Sequence, residues 1–496
     1  MLAAMPTAPG PRTTGGTPPT RDGGDACPGA LRLHMADDGA LARVRIPAGV
    51  LSVDGALALW DAARRLGDGS LHLTSRGNVQ LRGLGAGCGR ELADVLSAAG
   101  LLPYARHERV RNFAASPLSG LDGLGEAEVQ PWARELDRLL CASESTTGLS
   151  GRFLFACDDG RGDMAALGPD VSLTAAGGGA LLRLGSAGTA LAVRVQDGPR
   201  AAVAAAEVFV EAAGSHSWRV AELPCGPDEL TDRVAARLTA EGIADERVPV
   251  VHGPLGAAPA PGLVVRPSGR VTRPARGTAR GQGANAGEGT GSEPYADAGQ
   301  VASGDHDARS GSGSAERRFS LSVLAPLGQL TGDQWQRLVS VADAHGSGEL
   351  RLTPWRGVVL PGFGQGAQEQ LDALAATGLI ASPASLWLGV GACIGRPGCA
   401  KSLADVRADA RTALWPTGDA PALPVHWSGC ERRCGHPRGD HVDVLATADG
   451  YDISVRGELR HTGVNPPPAP PAPRETSGAS ELAARVAAAR TTAVTR

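Results

Sequence analysis

Two stretches of the chain run through apolar and polar positions in the same order. In the first, ALARVRIP around residues 41–47 alternates with period two and predicts a strand. DGALALWDAARRLG follows with helical spacing and opens at Asp54. SLHLTSRGNVQLRGL predicts two short strands around a turn, and GRELADVLSAAG a second helix ended by Gly100. In the second stretch, FSLSVLAPLG predicts a strand and TGDQWQRLVSVADAHG a helix capped by Thr331. ELRLTPWRGVVLPGF predicts two strands, and QGAQEQLDALAATG a helix ended by Gly378. The order strand–helix–strand–strand–helix therefore occurs twice. The phrases LHLTSRGNVQL and LRLTPWRGVVL each pair a strand ending in Thr with a turn containing Arg–Gly. Duplication explains this better than coincidence.

Each repeat is followed by a larger mixed α/β region, roughly 105–255 and 383–460. The expected molecule is α+β and pseudo-twofold, with its site where the halves meet. Residues 1–26 and 256–316 are rich in Gly, Pro, Ser and Thr and read as disordered, the second as a linker. Residues 464–478 read as extended polyproline, and 479–491 as a short, undocked helix. The chain has 69 Gly and 36 Pro among 496 residues, which fits long irregular stretches beside folded parts.

Net charge is −4, so the overall field gives no reason to expect nucleic acid, and any anion site must be a local cluster. Lys401 is the single lysine; every other basic residue is Arg. The N-terminal MLAAMPTAPGPRTTGG has no apolar core of signal-peptide length, and no segment approaches the ~18 apolar residues of a membrane helix. A soluble cytoplasmic protein, with no membrane partner, is expected.

Nine cysteines are present, and Cys27, Cys88, Cys141, Cys157 and Cys225 are scattered singly. The other four fall in GACIGRPGCAKSLADVRADA and VHWSGCERRCGHP, as Cys393-x5-Cys399 and Cys430-x3-Cys434. Gly395, Pro397 and Gly398 let the first loop curl so that both thiolates face one point. Sequence after Cys399 turns helical, which places that thiolate near a helix N-terminus. An offset of four puts Cys430 and Cys434 on one side of a helical turn. Four thiolates can hold zinc, but structural zinc favours closer pairs. The wide first loop suits a 4Fe–4S cubane about 3 Å on an edge.

The cysteine pattern and the duplicated repeats resemble the sirohaem-dependent sulfite and nitrite reductases. Within that superfamily the phrases CPGALRLHMADDGALARVRIPAGVLS, LTSRGNVQLRGL, RNFAASPLSGLDG, GRFLFACDDG, LRLTPWRGVVLPG, CIGRPGCAKSLADVRADA and SGCERRCGHP are more similar to the precorrin-3B synthase family. The resemblance spans 27 to about 460. It implies ferredoxin-like half-domains at 27–104 and 317–382, and sulfite-reductase-like α/β domains at 105–255 and 383–463, the latter carrying the cluster. A Pro-rich tail and short helix occupy 464–496. It also implies a monooxygenase of cobalamin biosynthesis that hydroxylates precorrin-3A with dioxygen, at the methine carbon between rings D and A, and forms a γ-lactone. Family members carry a mononuclear non-haem iron besides the cluster.

A uroporphyrinoid bears about eight carboxylates, and Arg pairs with carboxylate through two parallel hydrogen bonds. In the phrases that line the tetrapyrrole in the reductases stand Arg76, Arg111, Arg152 and Arg356; Arg82 shares a strand face with Gln80. Where the sulfite reductases carry a further basic residue two positions after the one matched by Arg152, this chain has Leu154. That departure fits a tetrapyrrole that is substrate rather than cofactor. His436, Asp440 and His441 form a candidate set for a second iron, against the blander reading of a polar turn.

The rival functions are a sirohaem-dependent sulfite or nitrite reductase and a non-catalytic iron–sulfur electron carrier. No GxGxxG follows a predicted strand, so a separate NAD(P)H-linked electron donor is expected.

Overall fold

The computed structural model describes residues 27–214, 217–251, 256–267, 319–413, 423–437, 439–456 and 479–492. The disorder expected for 1–26, for the polyproline run and for most of the linker lies outside the described residues.

The first repeat comprises strands β1 (His34–Ala36), β2 (Gly39–Val44) and β3 (Val50–Ser52), helix α1 (Val53–Leu66), strands β4 (Leu71–Leu73) and β5 (Val79–Leu84), and helix α2 (Gly89–Ala98). Ser52, rather than Asp54, caps α1, its side chain accepting from the Gly55 amide. A six-stranded domain follows: β6 (Phe113–Ala115), α3 (Gln130–Ala142), β7 (Phe155–Asp158), β8 (Val171–Ala176), β9 (Gly179–Leu184), β10 (Thr189–Val193), α4 (Gly198–Ala213), α5 (Gly226–Ala240) and β11 (Asp245–Pro249). Its sheet runs β11-β10-β9-β8-β7-β6, with β6, β7 and β8 parallel. The Ala-rich α4 is buried along nearly its whole length, small side chains letting it lie close against the sheet.

The second repeat opens earlier than the sequence suggests. A strand β12 (Gly262–Val265), inside the expected linker, pairs antiparallel with β13 (Phe319–Leu324). The linker boundary at 256 is thus corrected: residues 262–265 belong to a sheet. Strand β14 (Gln329–Leu330), helix α6 (Gly332–His345), strands β15 (Glu349–Leu352) and β16 (Gly357–Phe363), and helix α7 (Ala367–Ala375) complete the repeat. Thr331 caps α6 in a full capping box with Gln334.

The two repeats exchange strands. One sheet runs β1-β2-β5-β4-β14 and the other β12-β13-β16-β15-β3, so each repeat lends a short strand to its partner's edge. A single apolar core fills the space between them, drawing on Leu59, Leu71 and Leu81 from one repeat and Trp335, Leu338 and Leu360 from the other. Exchange covers an edge of each sheet and fixes the pseudo-twofold relation.

The last domain is built from β17 (Val390–Ala392), α8 (Val406–Thr412), β18 (Val425–Ser428), β19 (His441–Ala446), β20 (Tyr451–Arg456) and α9 (Ala479–Thr492). Strands β17, β18 and β19 are parallel, the pattern that opens the first large domain. Helix α9 is docked, contrary to expectation. Leu482, Ala483 and Val486 are buried in the domain core, and Arg490 donates to the Leu423 and Leu388 carbonyls at 2.8 and 3.0 Å. Among the described residues no helix is long and apolar enough to cross a membrane.

Candidate metal centre and anion site

Parallel neighbours β17 and β18 deliver their loops to one end of the sheet, the end where open parallel sheets gather ligands. Cys393 directly follows β17, and Cys430 lies just past β18. Backbone bonds stitch the two loops together: Cys393 N–H donates to Trp427 O at 2.9 Å, and Leu403 N–H to Gly429 O at 2.8 Å. The Gly429 amide points at Cys393 Sγ, 3.2 Å away. Helix α8 begins only at Val406, capped by Asp405, so the Cys399 thiol sits on a turn rather than at a helix N-terminus. Cys430 and Cys434 also lie on a turn, not a helix; Arg433 is left-handed at φ 46° and its N–H donates to Cys430 O at 3.0 Å.

The four thiols share one neighbourhood. Burial pushes the Cys434 thiol up, and the charges of Cys393, Cys430 and Cys399 push it further. Burial likewise raises Cys393, opposed by the Gly429 and Gly395 amides. Thiolates crowded in this way repel one another unless a cationic centre binds them. Among the described residues no group of three or more His, Cys, Asp or Glu is gathered closely enough for one ion, as zinc with Zn–S of about 2.3 Å requires. A cubane spaces its thiolates more widely, and the donor set fits it. By the same finding His436, Asp440 and His441 do not assemble an iron site. Nδ1 of His436 and of His441 lies 3.0 and 2.9 Å from the backbone carbonyls of Pro437 and Gly439, and the two rings stack at 5.7 Å. The reason is local: short-range turn bonds turn both imidazoles onto the backbone.

The first repeat clasps the cysteine loop. Arg82 pairs bidentately with Asp38 at 2.8 and 2.7 Å, and donates to Gly398 O at 3.0 Å. Asp37 accepts from the Ala400 amide at 2.6 Å. Arg407 donates to Cys393 O at 3.1 Å and to Gln329 Oε1 at 3.0 Å, with His72 Nδ1 at 3.4 Å. Arg82 was expected to meet a ligand; its charge is already satisfied by Asp38. Arg111 is corrected in the same way, since it pairs bidentately with Asp137 at 2.8 and 2.7 Å, buried against α3.

Arg76 reaches the peptide next to Arg152. Arg76 donates to Gly151 O at 3.4 Å, and the Arg152 guanidinium lies 4.7 Å over the Trp218 ring. Arg45, 3% exposed, donates to Gly151 O, Cys27 Sγ and Asn112 Oδ1. Arg76 has no carboxylate partner among the described residues. Burial, reinforced by the Arg219, Arg45 and Arg43 charges, pulls its guanidinium down to about 9. Arg219 is paired with Asp170 at 2.5 Å, whereas a buried guanidinium without a carboxylate, as at Arg76, favours an anion. Arg43 and Arg45, two apart on one strand face, could have been read from the RVR alternation; Arg219 and Trp218 carried no local signal. Leu154 is buried with Ala114, Ala156 and Met164, and Trp355 packs on this apolar patch. Arg356 lies elsewhere, against the cysteine loops.

Comparison with known proteins follows this geometry. The model of the nitrite/sulfite reductase ferredoxin-like half domain matches twice, at 34–87 and 313–376. The chain thus carries two nitrite/sulfite reductase ferredoxin-like half domains. A precorrin-3B synthase from a Sinorhizobium species is 24% identical over 443 residues, 87% of this chain and 83% of that protein. A ferredoxin–nitrite reductase from Synechococcus elongatus is 26% identical over 447 residues, 84% of this chain and 80% of that protein. The solved structure of the NirA protein of Mycobacterium tuberculosis superposes with TM-score 0.60 at 17% identity, over 90% of this chain and 79% of that one. That likeness is one of fold. For this nitrite/sulfite reductase-like chain it bears out the duplicated halves and the mixed α+β class.

Proposed function

We propose that this chain is an oxidoreductase of the precorrin-3B synthase type. It would hold a 4Fe–4S cluster on Cys393, Cys399, Cys430 and Cys434, and hydroxylate precorrin-3A with dioxygen, a γ-lactone forming from the product. The observation that carries the reading is the pairing of two features: a convergent four-thiol set, and a buried Arg76 guanidinium with no carboxylate partner among the described residues. A polycarboxylate disc needs both forked cations at its rim and an apolar face. Arg76 and Arg152 would grip carboxylates, while Leu154 and Trp355 would exclude water beside them. The cluster, when bound, supplies one electron at a time, and a separate reductase is the expected donor. The precorrin-3B synthase relative, matched over most of its length, supports this reading.

The nitrite reductase relative, matched over similar length, keeps the sirohaem-dependent reductase as the rival. Burial of Leu154 favours the synthase, since a small oxyanion substrate calls for a cation at that place. The test is anaerobic purification followed by an optical spectrum, iron and sulfide analysis, and incubation with precorrin-3A under labelled dioxygen. The synthase reading requires label in the product and no sirohaem bands. Sirohaem bands with nitrite- or sulfite-dependent dye oxidation would transfer the assignment to the reductases.

A further inference from the structure

The turns joining β4 to β5 and β15 to β16 are equivalents, and each is closed by the same two backbone bonds. Thr74 N–H donates to Asn78 O and Gly77 N–H to Thr74 O; Thr353 N–H donates to Gly357 O and Arg356 N–H to Thr353 O. The left-handed position of the first turn is filled by Gly77, at φ 68°; that of the second is filled by Arg356, at φ 60°. A side chain there is strained. Arg–Gly in one turn therefore does not superpose on Arg–Gly in the other: Arg76 corresponds to Trp355, and Arg356 to a glycine.

Two glycines make room for this arginine, and a third borders its tip. A Cβ on Gly328 would lie 2.5 Å from Arg356 Cδ, one on Gly435 would lie 3.2 Å from Nη2, and one on Gly391 would lie 3.5 Å from Nη1. The guanidinium thus ends between the strand leading to Cys393 and the peptide following Cys434. It pairs with no carboxylate among the described residues, and burial pulls it below the usual arginine range. Beside it stands His426, wholly buried, whose Nε2 lies 3.1 Å from Cys434 O and whose Nδ1 has no partner. A chain that strains its backbone, clears two side chains and buries a cation unpaired needs a negative charge nearby.

We propose that Arg356 is the counter-cation of the cluster held by the four cysteines, favouring its reduced state, rather than a residue that grips the substrate. The inference rests on the iron–sulfur reading. A cubane on four thiolates is anionic and gains one more negative charge on reduction, so a fixed cation against its loop stabilises the reduced form. His426 lies against the Cys434 peptide and borders Gly391 and Gly435 together with the guanidinium, which packs it into place.

The test is a dye-mediated redox titration of the anaerobic holoprotein, read by electron paramagnetic resonance. The variants are Arg356→Gly, which restores the residue of the sister turn and relieves strain, Arg356→Asn, which tolerates positive φ, and Arg356→Lys. Iron and sulfide are counted first; absence of a cluster from wild type would remove the underlying reading itself. With clusters at wild-type content, Gly and Asn should lower the ratio of reduced to oxidised cluster at fixed potential about tenfold, equal to about 59 mV for one electron. Lys should recover most of that, and Arg76→Ala should leave the potential alone. An unchanged potential in both neutral variants overturns the proposal. So does a loss of precorrin-3A binding at unchanged potential, which would return Arg356 to the substrate site.

Discussion

Trp335 Nε1–H donates to the carbonyl of Ala56 at 2.9 Å, and these two residues, 279 positions apart, are each other's equivalents in the two repeats. The bond therefore lies on the pseudo-twofold axis, where helices α1 and α6 cross. Trp335 is wholly buried, so Trp335→Phe removes a hydrogen bond and opens a small cavity in the shared core. The expected loss is roughly 1–3 kcal/mol. Thermal unfolding of the variant should begin several degrees lower, whereas Trp60→Phe, on a half-exposed ring, should shift it much less.

Much of this architecture was legible because periodicity reports burial. Helices α1 and α6 bury one face each, and their spacing says so; β16, buried at all but one position, shows instead as a short unbroken apolar run. The exchanged strands β3 and β14 escaped, since two or three residues leave no period to read. Strand β12 is a four-residue run inside low-complexity sequence, and only its partner β13 identifies it. That the four late cysteines would lie near one another was legible from their spacing. The arginines were not separable, because sequence shows a cation but not its counter-ion. Asp137 is 26 residues from Arg111, and Asp38 is 44 from Arg82. Helix α9 looked detached because its apolar face is mostly alanine, yet packing against the last sheet buries it.

Replacement of Cys393, Cys399, Cys430 or Cys434 singly by Ala should abolish the cluster in anaerobic protein. Wild type should bind about four irons and four sulfides, with a broad shoulder near ~400 nm, as four-thiolate clusters do. Cys141→Ala and Cys157→Ala should keep full iron, because burial pushes both thiols up to about 12 and away from metal chemistry. Stoichiometric zinc in place of iron would sink the cubane assignment.

Acid should loosen the contact between the first repeat and the cysteine loop. Burial, with help from Arg407 and Arg82, lowers His72 from 6.5 to about 3. In the unfolded chain the imidazole takes a proton below pH ~6.5, whereas the folded chain refuses it until about 3. Unfolded protein then binds more protons, so this residue's contribution is full above pH 6.5 and is lost as pH falls toward 3. The upper bound is about 5 kcal/mol for a shift of that size. Stability measured from pH 7 to 4 should fall less steeply in His72→Gln than in wild type. Parallel profiles would show that the ring is not held neutral.

Arg76 and Arg111 separate a ligand-facing cation from a structural one. Arg76 meets only a carbonyl at 3.4 Å and stands among other guanidiniums, so a bound carboxylate relieves its burial. Removing it should forfeit a charge-assisted pair worth roughly 1.5–3 kcal/mol, weakening tetrapyrrole binding about 10- to 150-fold. Arg76→Ala itself should fold as well as wild type or better, because an uncompensated buried charge disappears. Arg76→Lys should recover only part of the affinity, since an ammonium cannot make a two-pronged contact. Arg111→Ala instead strands Asp137, whose partner is lost in a site where both side chains are largely shielded from water. That variant should lose about 3 kcal/mol of stability while its folded fraction binds ligand normally. The measurements are fluorescence quenching by precorrin-3A under argon, thermal unfolding, and iron content, which should stay at wild-type level in every variant. Equal binding by Arg76→Ala and wild type would place the carboxylates somewhere other than the cleft beside Gly151 and Trp218.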